Sequence, residues 1–179
     1  PCARSCSRWT VRRGLGTSAA MSESPAAAVH DAFMRAALAE GRKALPACLP
    51  NPPVGCVLVR GGVIIARGHT QPPFQPHAEP MALAQVHGDL GDVTAYVTLE
   101  PCSFHNRTPS CARALVARGI GRVVVGMQDP HPRNRGRGVQ ILKDGGIDVV
   151  EGVLEGEARA DMGPHVWQPG EQDTAKLGH

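Results

Sequence analysis

The amino-acid sequence predicts an α/β fold, a three-layer α/β/α sandwich around a central mixed five-stranded sheet. Valine- and isoleucine-rich runs alternate with segments of helical periodicity along most of the chain, which implies a sheet covered on both faces. The first two of these runs are separated only by Gly61-Gly62, a pair suited to a tight hairpin. At 179 residues the chain is long enough for one domain with a real core and too short for two. The expected division is an N-terminal extension over 1–20, a folded domain over 21–162 and a mobile tail over 163–179.

Each element has a local reason. From about Ala27 to Ala44 the residues Val29, Phe33, Ala36, Ala37 and Leu38 recur at three- and four-residue intervals, so this stretch is an amphipathic helix, and Pro46 stops it. The runs PVGCVLVR and VIIARG form the hairpin strands. His77 follows the proline-rich loop QPPFQP and opens a helix in which Met81, Leu83 and Ala84 can face the core. Pro80 falls in its first turn, where a missing amide proton costs little. VTAYVTL at 93–99 is a buried strand, and CARALVARG from Cys111 is a helix with Gly119 placed to cap it. RVVVGM at 122–127 is the fourth strand, 133–145 a helix ended by Gly145-Gly146, and IDVVEGVL the last strand before a short helical EGEARADM.

Composition excludes several classes. Hydrophobic residues make up 42% and charged residues 20%, and no apolar run approaches the roughly 18 residues of a membrane span. Of the 19 basic residues, Arg4, Arg8, Arg12 and Arg13 fall in the first twenty positions, so the other 15 face 16 acidic ones. A near-neutral body with 3% aromatic residues lacks the charge and the stacking surfaces of a nucleic-acid binder. The six cysteines show no disulfide-framework spacing, which points to a reducing, cytoplasmic setting. Residues 1–20 read either as an organellar transit peptide or as an extension ahead of a start at Met21, and the second reading is preferred.

The stretch from His77 to Cys111 carries the chemistry. His77, Cys102 and Cys111 offer one imidazole and two thiolates, the donors zinc prefers, and three protein ligands leave a fourth tetrahedral position for water. Glu79, two residues past the histidine, is placed to shuttle protons. H-x-E followed by P-C and a further cysteine is the pattern of zinc-dependent deaminases of nucleobases, in which the glutamate is general acid and base rather than ligand. The helix beginning at Cys111 is expected to stabilise that thiolate through its N-terminal amides. The bland alternative, a buried histidine with two inert thiols, requires four matching residues to coincide.

Beyond this pattern the chain resembles the deaminase domain of the bifunctional riboflavin-biosynthesis deaminase and reductase. The resemblance spans roughly residues 28–162 and rests on NPPVGCVLV at 51–59, PHAE at 76–79, AYVTLEPCS at 95–103, RTPSCA at 107–112, MQDPHP at 127–132 and GRG at 136–138. Eight residues separate Cys102 from Cys111, as in that branch, where most deaminases have P-C-x-x-C. The resemblance implies a cytidine deaminase-like fold, one zinc ion per chain with a bound water, and a dimer or larger homo-oligomer. It implies hydrolysis of 2,5-diamino-6-ribosylamino-4(3H)-pyrimidinone 5′-phosphate to 5-amino-6-ribosylaminouracil 5′-phosphate and ammonia. With no strand or helix expected after Met162, the reductase half and its NADPH are not expected of these residues.

The resemblance also nominates substrate contacts: Asn51 for the pyrimidine or ribose, Arg107 for the phosphate, and Thr70, Ala78, Phe104, Asp129 and His131 around them. Asn51 is otherwise a turn residue, Arg107 a solvated one, and Asp129 reads first as a brace of its own turn; His105 and His131 read first as exposed-loop histidines. The chain departs from the family at several of these places, with Thr70 and Phe104 for histidines, Pro72 for lysine, Phe74 and Asn106 for glycines and His131 for asparagine. These departures leave two further readings: a deaminase of another aminopyrimidine or nucleoside, or a zinc-stabilised binding module without turnover. An intact Glu79 argues against the second.

Overall fold

A computed structural model describes residues 25–104 and 109–170. The expected extension over 1–20 and Arg107 both lie outside them. Helix α1 (Pro25–Arg42) is followed by β1 (Gly55–Arg60), β2 (Val63–His69), α2 (Ala78–Leu83), β3 (Val93–Leu99), α3 (Cys111–Ala117), β4 (Arg122–Met127), α4 (Arg137–Asp144), β5 (Asp148–Glu151) and α5 (Glu155–Met162). The sheet runs β2-β1-β3-β4-β5. β1 is antiparallel to both β2 and β3, whereas β3, β4 and β5 are mutually parallel, so the sheet is mixed. Gly61 and Gly62 make the β1–β2 turn with φ of +56° and +79°, the left-handed geometry that twin glycines supply without strain.

Helices α1 and α5 cover one face, and α2, α3 and α4 the other. β3 and β4 lie centrally and are buried almost throughout, as their continuous apolar sequences require, whereas the edge strand β2 alternates buried and exposed residues. The core gathers Met34, Ala37 and Leu38 from α1 with Val57, Leu58, Val97, Val123 and Val124 from the sheet. Val29, expected on the buried stripe of α1, is 52% exposed, because the stripe rotates onto Met34.

Two boundaries differ from the sequence reading. α4 begins at Arg137 rather than near 133, because Gly136 adopts φ +76° and a left-handed residue interrupts right-handed helix. The tail expected from Gly163 starts with structure: Gly163–His165 is a 3-10 turn, Val166 is buried, and Trp167 packs edge-on against His131 at 6.0 Å.

Glu40 near the end of α1 is nearly buried, accepting hydrogen bonds from Lys43 Nζ at 2.7 Å and His69 Nδ1 at 3.0 Å. Burial alone would raise its carboxyl pKa, but these bonds and charges outweigh it and the net lies below the ordinary value. A depressed folded-state pKa means stability that is present above the unfolded value and lost as pH falls through the folded one. Glu40→Gln is therefore expected to cost about 1.5–3 kcal/mol at pH 7 and to flatten the loss of stability below pH ~4.3, read from urea unfolding across pH 3–7.

Candidate metal centre and active-site cleft

β3 and β4 are in register to Leu99 and Met127, and Glu100 N–H donates to Met127 O at 2.9 Å, so the two parallel strands end together. The chain leaving each strand opens into a crevice at their carboxyl ends, where α/β sheets hold ligands. Cys102 sits on the first of these loops and Asp129 on the second. α2 presses on β2 from the side: a Cβ on Gly68 would overlap Ala78 O, so only glycine lets the first turn of α2 come this close. His77 is the N-cap of that helix, and Glu79 stands in its first turn, 3% exposed.

Three donor atoms converge. His77 Nδ1 lies 3.9 Å from Cys102 Sγ and 3.4 Å from Cys111 Sγ, and all three lie within 4.8 Å of one another. Ligands bound at zinc's usual 2.0–2.3 Å lie roughly 3.5–3.8 Å apart on a tetrahedron, so the spacing and the N,S,S donor set both fit zinc. Ser110 fixes the arrangement. Its hydroxyl donates to Cys102 O at 2.6 Å and accepts from Arg113 N at 3.3 Å as the N-cap of α3, while Ala112 N also donates to Cys102 O.

The first amide of α3 serves a different sulfur from the one expected: Cys111 N donates to Cys102 Sγ at 3.2 Å. The Cys111 thiol bonds the same sulfur, and with His77 nearby these contacts hold Cys102 down at about 4 despite its burial. Cys111 is correspondingly pushed up by that bond, by burial and by the charge of Glu79. These contacts favour the anion on Cys102 over Cys111, and metal binding requires the remaining thiol proton to leave. Burial, and then the charge on Cys102, raise the carboxyl pKa of Glu79, an environment suited to a group that must both take and give a proton.

A cleft of about 90 Å³ joins this centre to most of the nominated contacts, with Asn51, Thr70, His77, Glu79, Cys102, Phe104 and Asp129 in its lining. Asn51 Oδ1 is buried there without a hydrogen-bond partner among the described residues. The Thr70 hydroxyl is engaged by Val54, accepting from its N–H at 3.1 Å, so it braces the start of β1. Asp129 lines the cleft and also braces its turn, accepting from His131 N at 2.9 Å and Asn134 Nδ2 at 3.0 Å. Ala78 is wholly buried and His131 is 9% exposed, and neither lines the cleft. His131 was expected on an exposed loop; Nδ1 of its ring instead accepts from Arg133 N, and Trp167 covers it.

Two residues that organise the site escaped the sequence reading. Glu100 is a buried carboxylate accepting from the amides of Asp129, Gly136, Gly138 and Val139 at 2.9–3.2 Å. Asn134 accepts from Ser103 N at 2.8 Å while holding Asp129. Between them the two side chains tie the loop after β3 to the loop after β4 and to the start of α4. A polar residue within an apolar strand end is the only local signal Glu100 gives.

Comparisons with known proteins agree with this geometry. The family model for the cytidine and deoxycytidylate deaminase zinc-binding region matches residues 27–127. The riboflavin biosynthesis protein RibD of Escherichia coli is 51% identical over 109 residues, covering 61% of this chain and 30% of that protein. The chain thus spans about a third of the length of the curated relatives it matches. Among solved structures, RibD of Acinetobacter baumannii superposes with a TM-score of 0.75 at 40% identity, covering 78% of this chain and 40% of that one. A diaminohydroxyphosphoribosylaminopyrimidine deaminase/5-amino-6-(5-phosphoribosylamino)uracil reductase from Thermotoga maritima gives 0.74 at 40% identity, with 78% and 41% covered. The central mixed sheet with helices on both faces is therefore a cytidine deaminase-like fold.

Proposed function

The chain belongs to the cytidine and deoxycytidylate deaminase zinc-binding family, and from that premise we propose that it hydrolytically deaminates the diaminopyrimidinone ribotide of riboflavin synthesis. The observation that supports this reading is the meeting, at one cleft, of the His77/Cys102/Cys111 trio, buried Glu79 and Asn51 Oδ1, which has no hydrogen-bond partner among the described residues. The substrate class is supported by the Thermotoga maritima neighbour, whose name is that of a diaminohydroxyphosphoribosylaminopyrimidine deaminase and reductase. His77, Cys102 and Cys111 would hold one zinc ion, and what zinc supplies when bound is a Lewis acid that lowers the pKa of water toward about 7.

The rest is the work of the chain's own residues. Glu79 takes one proton from water and delivers it to the ring nitrogen beside the reacting carbon. It then passes the remaining hydroxyl proton to the exocyclic amine. The C–N bond breaks, ammonia leaves and the carbon keeps the water oxygen as a carbonyl. The buried position of Glu79 keeps bulk water from competing for these protons. Asn51 Oδ1 accepts an N–H of the aminopyrimidine and so orients the ring, and Phe104 covers the cleft from the second-cysteine loop. Asp129 and Thr70 shape the cleft by bracing its walls. Arg107, by resemblance, meets the phosphate, while Ala78 and His131 act through packing. The compartment we propose is the reducing cytoplasm, in keeping with the absence of a disulfide among the described residues, where Cys48, Cys56, Cys102 and Cys111 are free thiols, and the assembly a homo-oligomer.

Ammonia release from the ribotide by zinc-loaded protein, with cytidine as control, tests the reading. Turnover of the ribotide and none of cytidine is expected. Zinc-loaded protein that leaves the ribotide untouched would overturn the substrate and favour another aminopyrimidine, which the apolar Phe104 at the cleft would suit. Asn51→Ala is expected to lower kcat/KM about tenfold, the value of one neutral hydrogen bond, with zinc content unchanged.

A further inference from the structure

We propose that Trp167 is a positioning residue for the cleft, holding its Asp129 wall in place through His131. The inference rests on the cleft being the active site, as read above, and adds that residues 163–168 belong to its framework. The loop after β4, residues 128–136, contains no helix or strand, so its shape depends on what grips it. Glu100 grips its two ends, at the amides of Asp129 and Gly136. The middle is organised by His131. Its N–H donates to Asp129 Oδ1 at 2.9 Å, its carbonyl accepts from Asn134 N and Arg135 N at 2.9 Å, and its ring Nδ1 accepts from Arg133 N at 3.2 Å. Asn134 in turn holds both Asp129 and the amide of Ser103, the residue next to Cys102. A shift of His131 therefore moves a carboxylate that lines the cleft and the neighbour of a metal-ligand candidate.

Trp167 reaches that ring from outside the loop. Residues 166–168 belong to no helix or strand, yet the segment is anchored. Val166 is 6% exposed, packs in the core and donates its N–H to Met162 O at 3.1 Å. Gln168 Nε2 donates to Gly163 O at 2.7 Å and to Val166 O at 3.2 Å, which closes the segment on itself. The half-buried Trp167 ring thus has a fixed base from which to meet the imidazole. The two rings lie edge-on, with centroids 6.0 Å apart and planes at 74°, inside the range where an edge-to-face pair is favourable. With its backbone and Nδ1 engaged inside the loop and its ring faced by Trp167, His131 is held from two sides.

The test compares zinc-loaded wild type with Trp167→Ala, Trp167→Phe and Leu38→Ala, the last a core truncation in α1 that costs stability by itself. Hydrogen exchange gives the first reading. Residues 128–136 should exchange about tenfold faster in Trp167→Ala, a local opening that leaves β3 at the wild-type rate. Trp167→Phe keeps an aromatic edge for His131 and should restore slow exchange, and Leu38→Ala should not single out this loop. Kinetics with the ribotide give the second reading. Trp167→Ala should raise KM about three- to tenfold, the worth of one aromatic pair, with kcat within about twofold and zinc content unchanged. Trp167→Phe and Leu38→Ala should keep the wild-type KM. Unaltered exchange in Trp167→Ala, faster exchange with an unchanged KM, or an equal rise in KM for Leu38→Ala each overturns the proposal. Should the wild type fail to turn over the ribotide, the substrate reading falls, and exchange alone decides the role of Trp167: acceleration in Trp167→Ala that Trp167→Phe reverses upholds it, and unaltered exchange refutes it.

Discussion

Glu79→Gln is expected to lower the rate of ammonia release by about 10²–10⁴, the range that positioned acid–base groups contribute, while zinc content measured by mass spectrometry stays at the wild-type level. Glutamine keeps the shape and can still hydrogen-bond, but it cannot take a proton from water and return it. Glu79 is 3% exposed, so the variant also removes an ionisable group from a low-dielectric site. Its thermal midpoint should not fall. A variant that kept more than a tenth of the activity would show that another group carries the proton, and would sink the assignment of Glu79 as the shuttle.

Cys111→Ser is expected to empty the metal centre. The thiol is 1% exposed and its sulfur stands 3.4 Å from His77 Nδ1, so a shorter, harder oxygen can neither reach the ion as well nor match its preference for sulfur. Activity should fall to background and the stabilisation that zinc provides should vanish. That stabilisation is about 4 kcal/mol when free zinc exceeds its Kd a thousandfold, or roughly 10 °C in thermal midpoint for a domain of this size. Chelation of the wild type should reproduce the same shift, and zinc added back should reverse it only in the wild type. Equal midpoints for the two proteins in zinc would mean that the trio does not hold the metal.

The convergence of His77, Cys102 and Cys111, with Glu79 beside them, was legible in sequence because its signal is short-range and type-specific. His77 and Glu79 sit two apart, Cys102 follows a strand on its exit loop and Cys111 starts a helix, and no packing detail is needed to recognise them. The sheet was legible for the same reason, from apolar runs and one glycine pair. What sequence reading lost depended on distant partners. Glu100 gains its meaning from amides 29 to 39 positions away, and Asn134 from Ser103 31 positions back. The later start of α4 follows from a backbone angle at Gly136 that composition does not specify. Thr70 was nominated by position within a motif, yet its hydroxyl is taken by Val54, a pairing visible only once the two segments lie side by side.

Glu100 has a mechanical consequence. Its two oxygens fasten the strand end that leads to Cys102 to the loop at Asp129 and to the helix start that bears Arg137. The loop that carries Cys102, the loop that carries Asp129 and the start of α4 are therefore mounted on one bracket, with little freedom to slide apart. Such a bracket works as a caliper: it sets the gap between the Cys102 and Asp129 loops, which both line the cleft, and so the width of what can lie between them.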